Sequence, residues 1–190
     1  MSARLLVVVA SDTGRTRKLA DALAEGAAQR GALVEVVPCA EVEEAQLLAA
    51  DALVLGSGVH MGGMESSMRA FFERFAPLWM QGRLIGKLGA AFVTAGNGGR
   101  GGGELTLISL HAFMAEHGLL LVPMHNRLDR YLAAGSHWGP LAWTNPRGQT
   151  VGPTEDHLAA ARAHGGWIVE CADRWARGAA GDPSPEASGS

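Results

Sequence analysis

Residues 5–16 read LLVVVASDTGRT, so six apolar residues pass directly into a segment with three hydroxyl side chains and one glycine. Unbroken apolar runs of this length are typical of strands buried on both faces of a sheet. Helical patterns separate this run from those that follow, which predicts an α/β protein with a doubly wound, five-stranded parallel sheet in three layers. The five predicted strands are Leu5–Ala10, Leu33–Val37, Ala52–Leu55, Gly89–Thr94 and Leu119–Val122.

Apolar residues at helical spacing predict four helices. The first ends at Gly31, and the last begins beside Thr154, whose hydroxyl suits a helix N-terminus. Gly165 and Gly166 interrupt the last pattern and predict close packing there, since glycine is otherwise unfavourable inside a helix. The four helical patterns are Leu19–Ala28, Met64–Phe75, about Glu104–His117, and Leu158–Trp175.

The composition excludes several classes of protein. The chain has 190 residues, of which 47% are hydrophobic, and this is enough apolar material for a core. No apolar run approaches the roughly 18–20 residues of a membrane span. The net charge is −3 and the 16 basic residues are scattered, so we expect neither membrane insertion nor nucleic-acid binding. Cys39 and Cys171 share no short spacing, which indicates reduced thiols and a cytoplasmic protein.

We predict one domain over residues 1–177. Residues 178–190 read GAAGDPSPEASGS and lack any hydrophobic period, so they are predicted to be a disordered tail. The seven histidines show no HExxH motif or other metal-ligand spacing, and no metal site is predicted.

The segment after the first strand has the composition of a phosphate cradle. Ser11, Thr13 and Thr16 offer hydroxyls, Gly14 offers an unhindered backbone, and a helix begins at once. Hydroxyl groups, backbone amides and the helix dipole all favour a phosphate at such a place. A simple capped helix start would use the same residue types, so both interpretations stay open at this point.

Two glycine-rich segments follow the third and fourth strands. Gly56–Gly63 contains four glycines in eight residues, and Thr94–Gly103 contains six in ten. Glycine weakens regular structure, so we interpret both as loops whose backbone approaches a ligand. The carboxyl ends of parallel strands share one edge of the sheet. That edge is therefore predicted to bind a phosphorylated, planar ligand, with Asp12 directed outward because a carboxylate would repel the phosphate.

Several motifs occur in a fixed order between residues 4 and 175. They are Ser11-x-Thr13-Gly14-x-Thr16, Met68-Arg69-Ala70-Phe71, Leu78-Trp79-x-x-Gly82, Gly86-Lys87-Leu88, a glycine-rich loop before Glu104-x-Thr106, His117-Gly118, and Ala161-Arg162-x-x-Gly165. Together they resemble the motifs of the WrbA-like NAD(P)H:quinone oxidoreductases, which have the flavodoxin-like fold. The resemblance implies the strand order 2-1-3-4-5 and non-covalently bound FMN.

The resemblance also implies which residues form the site. Trp79 and His117 would serve the reaction, with Trp79 closing the pocket from a neighbouring subunit. Residues 126–152 would form a loop over the substrate side. Glu116 stands where the family has a histidine that touches the flavin. The implied cofactor-binding residues are Ser11, Thr13, Gly14, Arg15, Thr16, Ser57, Gly58, Val59, His60, Met61, Gly62, Thr94, Ala95, Gly96, Asn97, Gly98, Gly99 and Glu116.

The activity implied by the resemblance is hydride transfer from NADH or NADPH to flavin N5, followed by two-electron reduction of a quinone-like acceptor. A homo-oligomer, either dimer or tetramer, is implied as well. Two alternatives remain open. The first is a flavodoxin-type electron carrier, which would not turn over NAD(P)H with a quinone. The second is a flavin-free interaction module, which would ignore added FMN.

Overall fold

The computed structural model describes residues 2–96, 100–144 and 152–181, with the backbone alone at 100, 101 and 179–181. Its middle layer is a sheet of mainly parallel strands. The apolar run of β1 is buried along its whole length after Arg4, as a strand covered on both faces requires. The strands are β1 Arg4–Ala10, β2 Leu33–Pro38, β3 Ala52–His60, β4 Gly63–Met64, β5 Leu88–Ala95, β6 Leu120–Leu121 and β7 Leu141–Trp143.

The strand order is β2-β1-β3-β5-β6, and all neighbours on this path are parallel. In the numbering of the five predicted strands this is 2-1-3-4-5, so the predicted order and the predicted flavodoxin-like α/β fold are confirmed. The strand beside β5 is divided. β6 pairs with the first residues of β5, whereas β7 pairs with Val93, Thr94 and Ala95 at its carboxyl end.

Helices cover both faces of the sheet. Leu19 and Leu23 of α1 and Ile168 of α6 belong to the apolar core on one face. The other face is packed by residues of α2, α3, α4 and α5, among them Phe71 and Leu110. The three predicted layers are therefore present. The helices are α1 Arg15–Ala28, α2 Glu44–Ala49, α3 Ser66–Arg74, α4 Ala76–Met80, α5 Arg100–Glu116 and α6 Glu155–Gly181.

The predicted boundaries of β3 and α5 were wrong because glycines were interpreted as loop residues. β3 continues to His60 rather than ending at Leu55. A Cβ on Gly56 would lie 1.9 Å from the Phe92 ring, so that glycine makes room for a core aromatic and not for a ligand. Helix α5 begins at Arg100 rather than near Glu104. Gly103 packs so closely on Leu141 that a Cβ would lie 2.7 Å from its side chain.

Residues 126–152 were predicted as a loop, but the part that the structure describes contains regular secondary structure. A 3-10 turn spans Tyr131–Ala134, and β7 follows it; α2 and β4 were also not predicted. Helix α6 extends to Gly181, past residue 178, where the tail was predicted to begin. Residues 182–190 lie outside the described residues. In the described part of the chain, no helix has both the length and the apolarity needed to cross a membrane.

Candidate functional site

The segment between β1 and α1 forms a helix start whose N-cap residue has no capping side chain. Gly14 is the N-cap residue with φ of 77°, a left-handed conformation that glycine adopts without strain. Nothing lies within 4 Å of the position of a Cβ on Gly14, so the space above the helix end is open. The Arg17 amide donates to Ser11 Oγ at 3.2 Å. Since the first amides of an α-helix have no acceptor within the helix, those of Arg15 and Thr16 remain for an external oxygen.

A hydroxyl pair connects this segment to the end of β5. Thr16 Oγ1 and Thr94 Oγ1 lie 2.7 Å apart, and both residues are buried. Each hydroxyl has one donor and two acceptor positions, so the pair keeps one donor for a further partner. Ala95 is buried in β5, and its carbonyl accepts the Thr144 amide at 2.9 Å. Gly96 is half-buried, whereas Asn97, Gly98 and Gly99 lie outside the described residues.

The end of β3 folds back as a tight hairpin. Val59 pairs with Met64 and His60 with Gly63, and the turn between them has φ of 48° at Met61 and 86° at Gly62. The hairpin supports the first turn of α5, because a Cβ on Gly102 would lie 2.9 Å from both Gly62 Cα and Val59 Cγ1. Val59 and Gly62 of the first glycine-rich segment therefore contact the second segment at Gly102.

Ser57 and Gly58 are engaged within the protein. Ser57 is buried, donates to the Gly58 carbonyl at 2.8 Å and accepts the Glu65 amide at 2.9 Å. The Gly58 amide donates to Glu65 Oε1 at 3.2 Å. We therefore assign Ser57 and Gly58 to shaping the hairpin, since their polar groups bond to each other and to Glu65.

Glu65 is the residue that the sequence analysis missed. It is the N-cap residue of α3 and is only 3% exposed. Burial raises the pKa of its carboxyl, and the neighbouring Asp12 carboxylate raises it further. Asp12 is exposed, as expected for an outward carboxylate, yet its Oδ2 lies 3.9 Å from His60 Nε2. The available signal was a carboxylate two residues after the segment Gly56–Gly63, at the second position of the predicted helical pattern Met64–Phe75.

Trp79, Glu116 and His117 lie together in a different place. They line a cavity of about 450 Å³ between α3, α4 and α5, into which Phe113 also projects. His117 is buried, its ring centroid is 4.5 Å from that of Phe113, and burial lowers its pKa. No described residue of the segment between β1 and α1 lines this cavity. Within one chain, Trp79, Glu116 and His117 therefore do not share a site with the helix start at Gly14.

The helix start at Gly14 fits a phosphate group in its geometry. It offers orphan amides, a free hydroxyl donor and open space, as a bound phosphomonoester requires. The charges at its rim are less favourable, because the carboxylates of Asp12 and Glu65 stand near it. The donors and the open space at the helix start suit an anion, whereas negative charge on Asp12 and Glu65 would repel it.

Comparison with known proteins gives four findings. A family model described as a flavodoxin domain matches residues 6–92. The NAD(P)H dehydrogenase (quinone) of Archaeoglobus fulgidus is 33% identical over 197 residues, which cover 90% of this chain and 98% of that protein. The protein of the same name from Methylocella silvestris is 33% identical over 198 residues, with the same coverage of both chains. The solved structure of a WrbA-like flavodoxin from Agrobacterium tumefaciens superposes with a TM-score of 0.71 at 26% identity, covering 91% of this chain and 99% of that one.

Proposed function

The chain belongs to the WrbA-like NAD(P)H dehydrogenase (quinone) family of the flavodoxin-like fold, and on that premise we propose that it is an FMN-dependent oxidoreductase. It would take electrons from NADH or NADPH and pass them to a quinone-like acceptor. The observation that carries the proposal is the uncapped start of α1 at Gly14, where orphan amides face open space.

The phosphate of FMN would bind at this helix start. The amides of Arg15 and Thr16 and the hydroxyls of Ser11 and Thr13 are its proposed donors, and Gly14 lets the backbone approach the oxygens without hindrance. The hydroxyl pair of Thr16 and Thr94 keeps this segment against the end of β5. The residues thus fix the anionic end of the cofactor and, through it, the direction in which the ring extends.

The ring system would lie between the hairpin Val59–Gly62 and the segment Thr94–Gly99. When bound, FMN supplies the two-electron carrier that no side chain of the protein provides. The hairpin residues shield one side of the site from water and orient the ring, while Met61, which is fully exposed in the single chain, is free to cover it.

We propose that a second copy of the chain contributes Trp79 and His117. Both line the cavity between α3, α4 and α5, apart from the helix start in the same chain, and Trp79 is half exposed. Because burial keeps His117 neutral at pH 7, it would act as a hydrogen-bond donor or acceptor rather than as a cation. The proposed functional unit is accordingly a dimer or tetramer. We also propose a cytoplasmic location, because the described cysteines are free thiols.

The experiment that tests this function measures the oxidation of NADH and of NADPH by the FMN-loaded protein, with and without benzoquinone. We expect rapid oxidation only when both FMN and the quinone are present. Flavin that is bound and reduced but passes no electrons to any quinone would contradict the enzyme assignment and favour an electron carrier. Protein that stays colourless with excess FMN would contradict it as well, and would favour an interaction module.

A further inference from the structure

Three side chains from separate segments meet beside the start of α1. Asp12 follows β1, His60 ends β3, and Glu65 precedes α3. His60 Nε2 lies 3.9 Å from Asp12 Oδ2 and 3.7 Å from Glu65 Oε1, and one ligand atom from each of the three residues lies within 4.8 Å of the others. Two carboxylates and an imidazole at this spacing form a typical donor set for a divalent cation.

The buried carboxylate of Glu65 gives a second, independent observation. Its Oε1 accepts the Gly58 amide, whereas Oε2 is buried and has no hydrogen-bond partner among the described residues. An ionised carboxylate with an unpartnered oxygen is costly to bury, so a proton or a cation is needed to compensate it. Gly58 creates the space, because a Cβ there would lie 2.4 Å from Glu65 Oε1.

The charge balance of this edge also favours a cation. Asp12 brings a negative charge close to the place proposed for a phosphate, Glu65 adds a second when it is ionised, and Arg17 is already paired with Asp21 at 2.7 Å. An anion bound beside two carboxylates is opposed by both. A cation held by those carboxylates would neutralise them and present its remaining coordination positions to water or to a phosphate oxygen.

We propose that Asp12, His60 and Glu65 bind one divalent transition-metal ion of the Zn²⁺, Co²⁺ or Mn²⁺ class. Ligand atoms around a tetrahedral zinc ion are about 3.4 Å apart, given metal–ligand distances near 2.1 Å. The two His60 distances of 3.7 and 3.9 Å exceed this by a few tenths of an ångström, and every pair of ligand atoms in the cluster lies within 4.8 Å. Asp12 and His60 are exposed, so rotation of their side chains can bring the ligand atoms closer. An imidazole ligand disfavours Mg²⁺ and Ca²⁺, which prefer oxygen donors. The site shares His60 with the hairpin proposed to orient the flavin, but metal binding needs no flavin and goes beyond the proposed function.

The test is calorimetric titration of Zn²⁺ into the untagged, metal-stripped full chain without FMN, with the bound ion counted by native mass spectrometry. We expect one ion per chain, a visible Co²⁺ absorption band when Co²⁺ replaces Zn²⁺, and at least tenfold weaker binding of Mg²⁺. Glu65→Gln keeps an acceptor for the Gly58 amide but loses the charge, and we expect it to weaken Zn²⁺ binding at least tenfold.

His60→Gln and Asp12→Asn change exposed residues, so they decide the question even if Glu65→Gln fails to fold. Each is expected to weaken Zn²⁺ binding at least tenfold, whereas His137→Gln, which removes an exposed histidine elsewhere, should leave it unchanged. Absence of Zn²⁺ binding, or equal binding by wild type, His60→Gln and Asp12→Asn, would overturn the proposal. Metal binding is measured in the absence of flavin. A chain that binds Zn²⁺ but not FMN would therefore support the metal site and contradict the oxidoreductase assignment.

Discussion

At the scale of single residues, the most strongly perturbed group outside the site is His164. It is fully buried, its Nε2 pairs with the Val122 carbonyl at 2.9 Å, and Nδ1 has no partner among the described residues. Burial, with smaller contributions from the nearby His111 and His125, lowers its pKa from 6.5 to about 4. The neutral ring is therefore part of the folded state, whereas the unfolded chain protonates it in mild acid.

This difference sets the sign of a pH dependence. Between pH 6.5 and about 4 the unfolded chain binds a proton at His164 and the folded chain does not, so stability falls as the pH falls through that window. The pKa difference corresponds to a loss of about 3 kcal/mol across the window. We expect urea unfolding of His164→Gln to lose less stability than wild type between pH 7 and pH 4. If the free energies of unfolding of the two proteins fell equally between pH 7 and pH 4, His164 would not be the cause of the loss.

At the scale of elements, the contact between α1 and α6 depends on glycine. A Cβ on Gly165 would lie 2.0 Å from the Leu23 carbonyl oxygen, and one on Gly26 would lie 1.9 Å from the Arg162 carbonyl oxygen. The neighbouring atoms belong to the backbone and cannot rotate away. The pair Gly165-Gly166 predicts this close packing, which is confirmed at Gly165, whereas a Cβ on Gly166 would lie 3.5 Å from the Arg30 side chain, an ordinary contact.

Two substitutions within the same helix separate packing from helix propensity. Gly165→Ala is expected to lower the free energy of unfolding by about 1–3 kcal/mol, because its Cβ forces the two helices apart. Gly178→Ala meets nothing within 4 Å and should change stability by no more than about 1 kcal/mol, in the stabilising direction. Chemical denaturation measures both. Equal effects of the two substitutions would show that close packing does not govern this contact.

The alternation of elements could be predicted from the sequence, whereas their ends at the site could not. Buried parallel strands and amphipathic helices each have a pattern of apolar residues that is visible within a short stretch of sequence. The extension of β3 through Gly56 depends on the Phe92 ring of another strand, and no local pattern reports it. The role of Glu65 likewise depends on Gly58 and His60, which meet it only in the folded chain. Residues 11–16 lead into a helix, as predicted, and the binding of a phosphate by them stays a prediction.

At the scale of the whole molecule, one face carries exposed apolar side chains. Trp79 and Met80 of α4 and Leu105 and Ile108 of α5 are all exposed to solvent in the single chain. Large exposed apolar residues that form a patch are typical of interaction surfaces. The same helices line the cavity that contains Trp79 and His117, which is why we expect a second copy to cover it.

We expect light scattering after size-exclusion chromatography to give a mass that is two or four times the 19.8 kDa of one chain. Ile108→Glu places a charge in the proposed interface and should shift the protein toward the monomer and reduce quinone turnover together. Leu33→Glu changes an exposed leucine on β2 and should do neither. A wild-type protein that remains a monomer at assay concentrations would contradict the shared site.

Titration of FMN into the purified protein, followed by flavin absorbance, shows whether the start of α1 binds the phosphate of FMN. Gly14 and Gly31 provide a matched pair, with φ of 77° and 84° and nothing within 4 Å of either Cβ position. Alanine at either should cost about 1–2 kcal/mol of stability from the left-handed backbone. We expect wild type and Gly31→Ala to bind one FMN per chain equally and Gly14→Ala to bind at least tenfold more weakly. No binding by wild type, or equal binding by all three, would contradict the account.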